Sequence, residues 1–319
     1  MLDFINVQET PWGNLGTKLK ESSERSEDIV TQLGQTFEVD CEPMKTDLLG
    51  TVSSYHAIRR CDNNKLLAVI NHYPSLVQNV NMFNCVEYLM PNEAHFECGG
   101  QLGIGQKVFG VFKLEQTERI LDDDVLSYII VINDHTKSDG KVTIINSPVR
   151  LVCMNMLQYA MANSRYCYRV PCTDDVANNM AIGQSVFNNA DSGISFARHH
   201  ADKLIKVKVE QNSHDKIMDT MFPYQVSADG HMLNNKANES VAIKRELFVQ
   251  CLDADNLRNY DSTAYQYYQA MLDYTQHYFS NVNHAYDLTY RMNNMQGIGA
   301  TPESAQVKKL LQVVRDVAA

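Results

Sequence analysis

The run VLSYIIVIND at 125–134 is the most apolar β-like segment of the chain, and KVTIINSPVRLVC follows it after the turn residues Ser138, Asp139 and Gly140. Short apolar runs bounded by turn signals fit buried strands, so two such strands are expected here. Pro148 belongs near the edge or exit of the second, because it has no amide hydrogen to give to a central ladder. Upstream, TVSSYHAIRR and LLAVINHY flank Cys61-Asp62-Asn63-Asn64. Asn and Asp tolerate the backbone angles of tight connections, so the two pieces predict a β-hairpin. SLVQNVNMFNCVEYLMP then brings Val77, Val80, Phe83, Val86 and Leu89 close to helical spacing, with Pro91 as a stop. Residues 95–115 combine five glycines with a strand pattern at Val108, Val111 and Leu114. They lack the Lys-Ser/Thr ending of a phosphate loop and the Gly-x-Gly-x-x-Gly dinucleotide spacing, so they read as a glycine-rich turn or bulge.

On either side of this β-rich stretch the pattern turns helical. A polar segment at 17–34, ending in Gly34, reads as a surface helix that lays Leu19, Ile29 and Leu33 on the body. VRLVCMNMLQYAMANS predicts a helix of about four turns starting near Arg150. From FARHHADKLIKVKVEQN to residue 250 the chain reads as mostly helical, interrupted by a turn-rich loop at 226–240. Residues 261–292 form a tyrosine-rich helix candidate, and TPESAQVKKLLQVVRDVA opens another with Thr-Pro-Glu-Ser. Tyr265, Tyr267, Tyr268, Tyr274, Tyr278 and Phe279 could stack on bases, but at helical spacing they read as core or subunit interface. Strands before residue 150 and helices after it define an α+β fold: a mostly antiparallel sheet packed with helices, then a helix-rich C-terminal half.

The net charge of −10 opposes a broad basic footprint, so any nucleic-acid surface must be local. Eight cysteines occur without Cys-x-x-Cys spacing, and MLDFINVQETPWGN lacks the pattern of a signal peptide; reduced, structural thiols are expected. No stretch approaches the roughly 18–20 apolar residues that span a bilayer.

Several polar positions stand out for chemistry. Asp134, His135 and Asp139 lie within six residues at a strand-to-turn junction, a spacing open to metal coordination or proton transfer, although turn residues bonded to their own backbone explain it more simply. His199 and His200 are adjacent, so they point in different directions and do not readily ligate one metal. Arg59, Arg60, Arg150 and Arg198 carry guanidinium forks that match phosphate; surface salt bridges are the simpler account of them. There is no Gly-x-Ser-x-Gly elbow, and Cys153 sits in an apolar run that leaves it unreactive, so the motifs favour a protein that is not an enzyme.

Taken in order, Pro11-Trp12-Gly13, YHAIRRCDNNKLLAVINHYPSLVQN, CGGQLGIGQKVFGVFKL, NDHTKSDGKVTIINSPVRLVCMNML, FARHHADK and STAYQYYQAMLDYTQHY resemble the blocks of the phage/plasmid-like family catalogued as domain of unknown function 932. The histidine-containing turn followed by Arg-x-Val-Cys-x-Asn-x-Leu is the most specific of them. Met154 and Met156, around Asn155, depart from the family's more polar pattern. The resemblance spans residues 11–280 and implies a single domain over 1–319, with 281–319 as a helical tail. It carries over Arg60, Asp62, Tyr73, Asn79, His135, Arg150, Cys153, Asn155 and one of His199 or His200. Tyr73 and Cys153 are expected in the core, and Asn79 and Asn155 as backbone caps.

What the resemblance implies is a phage or plasmid accessory protein of DNA metabolism, located in the cytoplasm of a bacterial host; it identifies no activity and no cofactor. The element order is also similar to the core of single-strand annealing proteins. The leading expectation is therefore a nonenzymatic, homo-oligomeric binder of single-stranded nucleic acid. Its candidate site is Arg59, Arg60, Asp62, Asn79, His135, Arg150, Asn155, Arg198, His199 and His200. Two alternatives stand beside it. One is a metal-assisted enzyme acting on a phosphate compound, with His135, Asp134 or Asp139 and a later histidine. The other is a virion-associated or protein-interaction factor.

Overall fold

The computed structural model describes residues 17–20, 25–48, 50–89, 94–150, 167–172, 195, 197–278 and 302–318. The chain divides into two compact units. Unit 1 is Met1–Glu118, Val125–Val149 and Met161–Ile194; unit 2 is Arg119–Asp124, Arg150–Ala160 and Ser195–Ala319. The fold is α+β, with its strands ending at Pro171 and most of its helix beyond.

Unit 1 is built on two sheets whose strand order follows the chain. The smaller joins β1 (Val39–Thr46), β2 (Gly50–Arg60) and β3 (Leu66–Ile70), antiparallel throughout. The expected hairpin is β2 and β3, and Asn64 takes the left-handed backbone its turn needs (φ 58°). Ile58 pairs with Cys41 on one side and Ala68 on the other, and all three turn toward the core. β1 escapes the sequence pattern because it is charged and interrupted by Pro43. It is an edge strand, and Pro43 sits at its bulge, where a missing donor costs nothing.

The larger sheet joins β4 (Ala94–Leu102), β5 (Lys107–Ile120), β6 (Asp123–Asp134), β7 (Lys141–Arg150) and β8 (Cys167–Pro171). β6 and β7 are the two apolar strands expected from sequence, and the glycine-rich segment is the β4–β5 hairpin. Arg150 ends β7 instead of opening a helix. The strand runs through Ser147 and Pro148, and Ser147, the residue before the proline, is driven to extended backbone. The helix expected beyond it falls on 151–166, outside the described residues, as do Cys153 and Asn155.

Two helices flank these strands in sequence. The expected helix over 17–34 contracts to α1 (Ser26–Gln32), because Thr17 instead exchanges backbone hydrogen bonds with Gly99 of β4. α1 closes on Gly34 at φ 67°, with the Gly34 N–H bonded to Thr31 O and the Gln35 N–H to Val30 O, a Schellman end. α2 (Asn79–Leu89) matches its expectation and buries Met82 and Phe83. The core gathers Ile29, Phe37, Ile58, Phe83, Val108, Ile129, Val131 and Ile144, each contributing about 1.5–3 kcal/mol by burial. Tyr73, expected inside, is 86% exposed: Pro74 takes the buried place, and Ser75 pins the segment through backbone bonds to Ser138 and Gly140.

Unit 2 is helical. It contains a segment at 197–204, α3 (Gln211–Met221), α4 (Lys236–Leu252), a 3-10 turn (Asp255–Tyr260), α5 (Ala264–His277) and α6 (Pro302–Ala318). The loop expected over 226–240 ends early, because Asn235 caps α4 by accepting from the Asn238 N–H at 2.9 Å. Asn238 in turn donates to Gln225 O and Leu233 O, which ties the turn to the helix. Thr263 caps α5, whose Tyr265, Tyr267, Tyr268 and Tyr274 are buried and pack edge-on or tilted against neighbouring rings, so these tyrosines are core. The rest of the expected 261–292 helix, with Phe279, lies outside the described residues beyond Tyr278. α6 starts at Pro302 and buries Val307, Leu310, Leu311 and Val314, one face at helical spacing. No helix among the described residues is long and apolar enough to cross a membrane.

Candidate functional site

Unit 1 brings Arg60, Asn79 and His135 together around Phe37. Arg60 sends Nε and Nη2 to the Asp62 carboxylate at 2.9 and 2.6 Å, and Nη1 to Ile104 O at 2.9 Å and Gln101 Oε1 at 3.3 Å. Its Cζ lies 3.7 Å from the centre of the Phe37 ring. With the side chain only 11% exposed, the fork is spent on holding the Gly103–Gly105 turn. Gly105, at φ 110°, is part of that fit: a Cβ there would come within 2.9 Å of the Phe37 ring. The Arg60 hydrogen bonds also hold the Asp62 carboxyl below the usual range.

The Asn79 side chain bonds backbone outside its own helix. Its Nδ2 donates back to Gln35 O and Phe37 O, each at 3.2 Å, which leaves Oδ1 to face His135 Nε2 at 3.0 Å. That arrangement assigns the proton to Nε2 of a neutral imidazole. The His135 pKa falls to about 4, first through burial and further through the Arg60 charge, against the opposing pull of Asp134. Asn133 Nδ2 adds a bond to Val77 O at 2.8 Å. A buried neutral imidazole donating to an amide stitches β6 to α2; it is not presented to a substrate.

The carboxylates expected beside His135 turn to other partners. Asp134 Oδ1 accepts from the Thr136 N–H and hydroxyl at 3.1 and 2.6 Å, the Asx turn that sequence suggested, while Oδ2 faces Lys107 and Lys137 at 3.8 and 4.0 Å. Asp139 takes both prongs of Arg169. Burial pushes its carboxyl up, but the Arg169 hydrogen bond and charge outweigh this and set it below the ordinary value. Among the described residues, no group of three His, Cys, Asp or Glu is placed to hold a metal ion. Arg59 is engaged with Asp40, Glu42 and Asn64.

Unit 2 gathers a different set. In the 197–204 helix, Ala197 and Ala201 are buried one turn apart, which leaves His199, Asp202 and Lys203 exposed and His200 half-buried. Arg198 Nε donates to Arg119 O at 3.1 Å. The His200 ring stands edge-on to Tyr268 at 5.7 Å, in the wall of a cavity shared with Ile120, Tyr265 and Gln269 that has room for about one water molecule. Burial lowers the His200 pKa, and the positive charges of Arg315, Lys203 and His199, in that order, lower it further. Arg315 and Lys203, more than 100 residues apart in sequence, therefore both lie within electrostatic reach of His200. Lys206 and Lys208, also exposed, continue the run, so 198–208 carries four Lys or Arg against one Asp.

The ten expected site residues thus divide between the units. Arg59, Arg60, Asp62, Asn79 and His135 belong to unit 1; Arg150, Arg198, His199 and His200 belong to unit 2, and Asn155 lies outside the described residues. Sequence reasoning missed Phe37, Gln101 and Arg169, whose partners Arg60, Arg60 and Asp139 lie 23, 41 and 30 residues away, and it missed Arg315. The Lys203, Lys206, Lys208 run was legible as a local excess of positive charge in an acidic chain.

No curated protein and no solved structure matches the chain. A family profile, described as domain of unknown function DUF932, matches residues 66–307. It begins later than the resemblance suggested, leaving out Pro11-Trp12-Gly13 and Arg60, and it reaches into α6. Because the match runs through both units and covers well over half of the sequence, the chain belongs to the DUF932 family.

Proposed function

We propose that the chain binds single-stranded nucleic acid as a homo-oligomer, in phage or plasmid DNA metabolism, through the cationic segment 198–208 together with Arg315. The observation that carries this reading is the convergence of Arg315, Lys203 and His199 on His200. Exposed Lys203, Lys206, Lys208 and Arg315 in a chain with net charge −10 offer a local anion surface, and phosphate contacts supply most of the sequence-independent affinity for nucleic acid. The unit 1 arginines contribute no such surface, because their forks are taken by Asp62, Ile104, Asp40 and Glu42. The choice of single strands rests on the likeness of the element order to annealing proteins, and duplex is the control.

Fluorescence anisotropy with labelled single-stranded and duplex oligonucleotides, from about 50 to 200 mM salt, tests the proposal. Tighter binding to the single strand is expected, weakening as salt rises. Reversing charge at Lys203→Glu, Lys206→Glu and Arg315→Glu together lowers the salt slope by about 2. Absence of binding at the lowest salt, or a triple variant that binds like the parent, overturns it. Light scattering reads the oligomer directly.

A further inference from the structure

We propose that Cys85 and Cys172 are an oxidisable dithiol, a site at which small-molecule disulfides install a cross-link between α2 and the end of β8. The two Sγ atoms lie 2.7 Å apart, across 87 residues of sequence. A disulfide bond is about 2.05 Å long, so less than about 1 Å of closure makes the bond. The geometry is held from both sides. Cys172 follows β8, with its N–H bonded to Gly140 O at 3.0 Å and its thiol reaching Asn81 O in the first turn of α2 at 3.3 Å; Cys85 sits one turn further along the same helix.

Exposure assigns the order of events. Cys85 is buried and Cys172 half-buried, so Cys172 meets the oxidant. The Cys172 thiolate attacks one sulfur of oxidised glutathione and expels one glutathione thiolate. The Cys85 thiolate then attacks the Cys172 sulfur of that mixed disulfide and expels the second. Two protein thiols become one disulfide, the small disulfide is reduced to two thiols, and the two protons pass to the departing thiolates. Burial raises the Cys41 and Cys251 pKa values and pushes that of Cys98 up to about 12, which disfavours their thiolates; exposed Cys61 is open to the same oxidant, so the linked peptide is what assigns the bond to Cys85 and Cys172.

The test uses the full chain, treated with oxidised glutathione and then unfolded in denaturant for thiol titration. The expected result is a loss of at least two of the eight titratable thiols, recovered by dithiothreitol, with a Cys85–Cys172 linked peptide by mass spectrometry. Closing so long a loop raises the melting temperature by on the order of 5 °C. Cys172→Ser, at the half-buried position, loses both the cross-link and the shift. Eight thiols remaining in the parent chain after treatment, or a linked peptide that joins other cysteines, overturns the proposal whatever the variant does.

Discussion

Arginine and histidine cluster in both units, and the two clusters have opposite physics. Around Phe37 in unit 1, every polar atom named finds a protein partner: the Arg60 fork closes on a carboxylate and a carbonyl, and His135 gives its proton to Asn79. Around His200 in unit 2, the cations His199, Lys203 and Arg315 are exposed and act together on the His200 imidazole. Residue type says little about which job a side chain does; burial and partner do. The first cluster is expected to report on stability and not on binding, and the second the reverse.

The largest effect that could break this division lies at Asn79. Truncating it to Ala strips partners from Gln35 O, Phe37 O and the His135 N–H, three buried groups at about 1–3 kcal/mol each, so a loss of about 3–5 kcal/mol is expected in urea unfolding. If the variant keeps parental stability but loses affinity for single strands, the unit 1 cluster is a binding site and the division is wrong.

Next comes acid sensitivity. His135 titrates at about 4 in the folded chain against about 6.5 when unfolded, so the unfolded chain takes up the proton first. The stability this gives is complete above about pH 6.5 and is lost as pH falls toward about 4, up to about 3 kcal/mol in all. His135→Gln removes the titrating group. Its unfolding free energy is expected to lie on a flatter line than the parent's across that window, whatever its value at neutral pH, and parallel lines would remove His135 as the cause.

How much of this was legible in the sequence follows the range of the interaction involved. The β2–β3 hairpin, β6, β7, α2 and α6 were written in apolar spacing and turn residues within a few positions of one another. β1 was not, because an edge strand with Pro43 and three charged residues has no apolar alternation to read. Arg60 was open to a phosphate role, with a surface salt bridge as the simpler account; only the approach of Phe37 and Ile104 shows that it is enclosed. The pairing of Asp139 with Arg169 spans 30 residues and depends on the β7–β8 register, and the joint effect of Lys203 and Arg315 on His200 depends on how unit 2 folds. Local propensity fixes elements, while side-chain partnerships wait on tertiary structure.

On the unit 2 side, charge reversal at Lys203 and Arg315 tests the converse. The double variant Lys203→Glu, Arg315→Glu is expected to bind single strands about tenfold more weakly, about 1.4 kcal/mol, while its unfolding free energy stays within about 0.5 kcal/mol per site. Larger losses of stability would make these cations structural and merge the two clusters into one kind.

The smallest effect sharpens the comparison most, because it concerns two neighbours of the same type. Arg59 and Arg60 are adjacent on β2 and point to opposite faces. Arg59 lies over Asp40 and Glu42 at 3.6 and 3.4 Å, with a side chain 32% exposed and its acidic partners more than half exposed, whereas the Arg60 side chain is 11% exposed. Exposed ion pairs contribute about 0–1 kcal/mol, since solvent screens them and ordering long side chains offsets the gain. Arg59→Ala should therefore cost less than about 1 kcal/mol, and raising the salt should shrink even that. Arg60→Ala leaves the Ile104 carbonyl without its donor and the Phe37 face uncovered, for about 2–3 kcal/mol with little dependence on salt. Side-by-side urea unfolding of the two variants at low and high salt decides the matter: equal losses would mean that burial, as measured at these two positions, does not set what an arginine contributes in this protein.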